Sequence, residues 1–109
     1  MAWEGQMSTM LRHMISDVDP ASYKFSNRRL ETTLLVAAQL ISPTMDFVNT
    51  YDINVETCKL DPDPTDSDSK DFDFVALVVL KAACIVIGSE VRSESTNAIS
   101  IKDGPSAID

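Results

Sequence analysis

The residues that could do chemistry in this chain are few, and their spacing does not favour it. A catalytic site needs a nucleophile or base with a positioned partner. His13 is the single histidine, and no cysteine or carboxylate stands at an informative spacing from it. Cys58 and Cys84 are far apart and carry no C-x-x-C or His–Cys pattern, so they imply neither a zinc site nor a redox motif. Glycine occurs only at positions 5, 88 and 104, which leaves no glycine-rich loop to cradle a phosphate. The segment DPDPTDSDSKD, residues 61–71, invites a test as a calcium loop. In the register starting at Asp61, the oxygen ligands Asp61, Asp63 and Thr65 fall where an EF-hand needs them. Position 6 is then Asp66 instead of glycine, and position 12 is Phe72 instead of glutamate. Registers from Asp63 and Asp66 fail as well. The segment reads as a solvated acidic loop, with Pro62 and Pro64 enforcing irregular backbone. No catalytic residue, cofactor or metal is expected.

The elements around these residues form a single small domain. A chain of 109 residues allows one core, and 44% apolar content with 24% charged residues describes a folded chain. The net charge of −8 argues against a surface that grips nucleic acid, because such affinity comes from Lys and Arg displacing counterions. An acidic surface suits solubility, or a wall past which DNA slides. The start MAWEGQMSTM lacks a basic region followed by an apolar one and does not read as a signal peptide, so synthesis in a reducing cytoplasm is expected.

Residues 1–6 are expected to fray. Ser8 caps a short helix near 9–16, with Met10, Leu11, Met14 and Ile15 at helical spacing, and Pro20 in DVDPAS breaks the chain after it. A second helix over 27–41 starts at the N-cap Ser26, with Phe25 placed to pack on Leu30 as a hydrophobic staple. Leu30, Leu34, Ala37 and Ile41 form its stripe, and Pro43 ends it. Arg28 and Arg29 lie in its first turn, where positive charge opposes the helix dipole, and that cost points to an acidic partner. Between residues 50 and 59 the period becomes two, predicting a half-buried strand.

The third helix is predicted over 71–95, capped by Ser69 or Asp71 and terminated near Asn97. Its stretch FDFVALVVLKAACIVI, residues 72–87, is apolar almost all the way round. Such a helix demands burial on every side, with Leu80 central and Cys84 a small buried hydrophobe. At 16 residues the stretch falls short of the roughly 20 that cross a bilayer. A chain this small surrounds it poorly, so neighbouring subunits are expected to complete its burial. Ala98–Lys102 (AISIK) reads as a short strand, and Asp103-Gly104-Pro105 as a turn. The fold class is therefore mainly α: a small bundle of about three helices with a minor β component.

Several segments together resemble the head–tail connector (adaptor) proteins of tailed double-stranded-DNA bacteriophages. They are LRHMISDVDPASYKFSNRRLETTLLVAAQLI, TYDINV and DFVALVVLKAACIVIGSEVRSESTNAISIKDGPSAID, covering most of residues 10–109. The distinctive parts are L-R-x-x-I-x-D (Leu11, Arg12, Ile15, Asp17), Y-x-F-S-N (Tyr23, Phe25, Ser26, Asn27), L-K-A-A-C (80–84) and the closing ISIKDGPSAID (99–109). None is a catalytic signature. The resemblance implies a non-enzymatic virion protein of the neck. It would form a homo-oligomeric ring of about twelve copies beneath the portal protein, bind a stopper or tail-completion protein, and continue the channel through which double-stranded DNA passes without specific binding. No membrane is involved. Relatives often continue into a C-terminal segment that contacts the portal, whereas the sequence here stops at Asp109. Candidate partner-interface residues are Arg28, Arg29, Ile99, Ile101, Asp103, Gly104, Pro105 and Ile108. Two other readings stand beside it: a small acidic regulatory or DNA-mimic protein acting as a dimer, supported by the acidic loop, and another neck component such as a stopper.

Overall fold

The computed structural model describes the backbone of residues 2–103 and the side chains of residues 3–89. Within them the chain is mainly α. The order is α1 (Ala2–Met14), α2 (Asn27–Ile41), a 3-10 turn (Ser42–Thr44), β1 (Asp52–Asn54), β2 (Lys59–Asp61) and α3 (Phe72–Asp103). The first half of α3 packs against both α1 and α2, and one core joins all three.

α1 starts earlier than the sequence suggests. Residues 2–6 are helix and not the expected frayed end, because Trp3, Met7 and Leu11 form an i, i+4, i+8 stripe buried in the core. The Trp3 N–H also donates to Asp63 Oδ2 at 3.2 Å, tying the start of α1 to the acidic loop. Ser8, expected as a cap, is buried inside the helix. The helix stops at Met14, before Pro20 acts. Ser16 adopts φ 59° and the Asp17 N–H donates to the Arg12 carbonyl at 2.9 Å, a Schellman-type end.

α2 forms as its signals dictate. Ser26 Oγ accepts the Arg29 N–H at 3.1 Å, and Leu30, Leu34 and Ala37 are buried with Leu35 and Ala38. Pro43 converts the exit into the 3-10 turn.

The predicted strand over 50–59 is instead a hairpin. Asp52, Ile53 and Asn54 pair antiparallel with Asp61, Leu60 and Lys59. Asn54 Oδ1 accepts the Thr57 N–H at 3.1 Å, and Cys58 takes φ 58°, so the backbone reverses inside the alternating run.

α3 begins where Asp71 caps it: Oδ1 accepts the Phe74 N–H at 3.3 Å. It runs past Asn97 to Asp103, so Ala98–Lys102 is helix and not the expected strand. A short strand without a partner leaves its backbone groups unpaired, whereas extending the helix bonds each one internally. No glycine or proline interrupts residues 89–103. The turn signal at Asp103-Gly104-Pro105 coincides with the helix end; Gly104, Pro105 and Ile108 lie outside the described residues.

The loops are held by one polar-aromatic node at the start of α3. Phe74 is fully buried, with the Tyr51 ring stacked on it at 3.8 Å and Phe47 edge-on at 5.1 Å. Tyr51 Oη donates to Asp71 Oδ2 at 2.9 Å, and Asn49 Nδ2 donates to Ser69 O at 2.8 Å. Burial, with the Asp71 carboxylate beside it, pushes the Tyr51 hydroxyl well above its ordinary value and keeps it a donor.

Candidate functional site

Each conspicuous polar cluster proves to build the fold. Asp63 Oδ1 accepts from Thr65 N at 2.8 Å and from Thr65 Oγ1 at 2.6 Å. Asp66 Oδ1 accepts from Asp68 N at 3.2 Å, while Asp71 caps α3. These carboxylates shape turns, and no metal-holding group of His, Cys, Asp or Glu occurs among the described residues. His13 Nδ1 lies 3.0 Å from the Thr9 carbonyl on the exposed side of α1. Burial, and then the charge of Glu31, raise the Cys58 thiol above its ordinary value, which disfavours the nucleophilic thiolate.

Arg12 gathers two of the distinctive sequence patterns into one buried network. Its Nη1 donates to Asp17 Oδ2 at 2.7 Å, and its Nη2 to Phe25 O at 3.1 Å and Asn27 Oδ1 at 2.8 Å. The guanidinium lies 3.5 Å from the Tyr23 ring centroid. Asp17 in turn accepts the Lys24 and Phe25 N–H groups. Burial pushes the Asp17 carboxyl up, but these two donors and the Arg12 charge outweigh it and hold the group below its ordinary value. The residues Leu11, Arg12, Asp17, Tyr23, Phe25, Ser26 and Asn27 thus fix how α1 meets α2.

What remains open to a partner is an apolar face. α1, α2 and the loop residues Phe47 and Tyr51 pack on the side of α3 that buries Phe74, Val75, Val78, Val79, Ala82, Ala83 and Val86. On the opposite side Phe72 is 68%, Leu80 49% and Ile87 46% exposed, and Ala76 and Cys84 are exposed with them. The expectation that Leu80 and Cys84 are buried is therefore corrected. Among the described residues α1 and α2 are the helices that lie against α3, and they occupy one side. Met10 and Met14 of α1, also exposed, form the other wall of a groove of about 460 Å³ whose floor is Ala76 and Val79. Such an apolar groove is a candidate interaction site. Met10, Leu80, Cys84 and Ile87 were legible only as core candidates, because periodicity cannot tell which side of an all-apolar helix its own chain will cover.

The other sequence candidates lie elsewhere. Arg28 and Arg29 are exposed on the first turn of α2, with the Arg29 guanidinium 4.8 Å from the Phe25 ring centroid. Phe25 shares a cleft with Val86 and Ile87. Ile99, Ile101 and Asp103 belong to the last turns of α3, with Ile99 about 20 Å farther along the helix axis than Val86. The side chains of Ile99, Ile101 and Asp103 lie outside the described residues.

The stretch Phe72–Ser89, with mean hydropathy 2.1, is long and apolar enough by composition to cross a membrane, and 39% of it is buried within the fold. No family model, curated protein or solved structure matches this chain.

Proposed function

We propose that this chain is a structural subunit of the neck of a tailed double-stranded-DNA bacteriophage. It assembles as a ring of about twelve copies beneath the portal, joins the filled head to a stopper or tail-completion protein, and continues the DNA channel. The observation that carries the reading is the exposed apolar face of α3 with Met10 and Met14, on a domain too small to cover it. A ring uses heterologous contacts, in which different patches of adjacent copies meet. The face supplies one such patch. The buried Arg12 network adds support, because it is built from residues that carry the resemblance to connector proteins. The net charge of −8 suits a channel wall that DNA passes without sticking. A membrane role is disfavoured because Phe74, Val78 and Val86 are already buried within the chain's own fold.

Disabling the gene in its phage tests the proposal. Electron microscopy is expected to show DNA-filled heads without tails, and purified protein added back is expected to restore joining. Normal tailed, infectious particles without the protein would overturn it.

A further inference from the structure

We infer that the acidic loop, residues 61–71, is a clasp that joins the start of α1 to the start of α3, so that the two helix ends open and close together. The device lies within one copy and stands apart from the ring reading.

The first N–H groups of a helix have no acceptor inside it, so a group outside must take them. For α1 that group is distant in sequence: Asp63 Oδ2 accepts the Trp3 N–H at 3.2 Å. For α3 it is local: Asp71 Oδ1 accepts the Phe74 N–H at 3.3 Å. The two aspartates belong to one loop and serve two different helices.

Bonds inside the loop tie these two caps to each other. The Asp63 carbonyl accepts the Ser69 hydroxyl at 2.6 Å, and the Pro64 carbonyl accepts the Asp71 N–H at 3.0 Å. Asp63 Oδ1 also takes the Thr65 N–H and hydroxyl, which fixes the carboxylate that reaches α1. Pro64 is fully buried, so the inner edge of the loop is seated in the fold. A bonded path therefore runs from the Trp3 N–H through Asp63, Pro64 and Asp71 to the Phe74 N–H. When either cap is lost, the chain around it slackens, and the cross-bonds pass that slack to the other cap. The joined helices are also the two that form the apolar groove, with Met10 about 10 Å along α1 from Trp3 and Ala76 about 3 Å along α3 from Phe74. Opening the loop loosens the groove at that end.

Amide hydrogen exchange by NMR on the full-length chain tests the clasp. Asp63→Ala is expected to speed exchange of the Trp3 amide about tenfold or more, through the lost bond to a charged acceptor. It is also expected to speed the Phe74 amide several-fold, although Asp71 caps that group. Asp71→Ala is expected to act in reverse and reach Trp3. Ser69→Ala leaves both caps in place and removes only a cross-bond. It is expected to speed both amides, while those of Leu34 and Val78 in the helix interiors change far less. Effects confined to each aspartate's own helix would show two independent caps and overturn the inference. Ser69→Ala would overturn it too if neither amide responded, or if Leu34 and Val78 accelerated as much as the helix starts.

Discussion

Arg12 and Asp17 are joined twice. The Asp17 N–H donates to the Arg12 carbonyl at 2.9 Å, and Arg12 Nη1 returns a bond to Asp17 Oδ2 at 2.7 Å. The backbone bond closes the end of α1; the side-chain bond makes that end the anchor for the chain leading into α2.

Removing the arginine strands a buried carboxylate. Arg12→Ala is expected to lower unfolding free energy by about 3 kcal/mol, at the low end for breaking a buried pair because two backbone donors remain on Asp17. Arg12→Lys recovers only part of this, since an ammonium cannot reach Asp17, Phe25 O and Asn27 from one planar fork. Urea unfolding followed by circular dichroism measures both.

The same pair makes stability depend on acid. The folded Asp17 carboxyl sits below its ordinary value near 3.8, so the unfolded chain takes up its proton first as pH falls. The stabilisation is fully present above about pH 4 and is lost as pH drops through the folded value. Urea midpoints between about pH 6 and pH 2 should fall for the parent chain. Asp17→Asn should be weaker at neutral pH and show a shallower fall; an unchanged acid profile in Asp17→Asn would contradict the assignment.

Leu80 and Phe74 separate assembly from folding. Phe74→Ala removes a fully buried ring and is expected to cost about 3–5 kcal/mol. Leu80→Glu alters a half-exposed position and is expected to change stability by about 0.5 kcal/mol or less. It should keep the helical spectrum yet form no rings, by analytical ultracentrifugation and microscopy. Unfolding of Leu80→Glu would mean that the face belongs to the core.

Asp71 caps α3 and holds Tyr51 at once. Asp71→Ala is expected to cost about 2 kcal/mol, combining a lost N-cap with a lost hydrogen bond to a carboxylate. Hydrogen exchange should report faster opening in the acidic loop and the first turn of α3.

Ser16 ends α1 at φ 59°, where a side chain is mildly strained. Ser16→Gly is expected to be neutral to stabilising, by up to about 1 kcal/mol, with a matching rise in Tm.

Local signals in the sequence determined the parts that depend on a few adjacent residues. Ser26 and Pro43 bound α2, the proline–aspartate run makes the loop, and Asp71 starts α3, because caps and ring constraints act within one turn of backbone. The mainly α class follows from them. The tertiary structure decided what depends on distant partners. Trp3 becomes core because Asp63 and the joined helices meet it. The run from 50 to 59 turns back on itself because Asn54 and Cys58 reverse it. Ala98–Lys102 continues the helix, where every backbone group bonds internally without a second strand. Above all, the pattern of an all-apolar α3 holds no record of which side stays bare. That was decided by where α1 and α2, each less than half its length, came to rest.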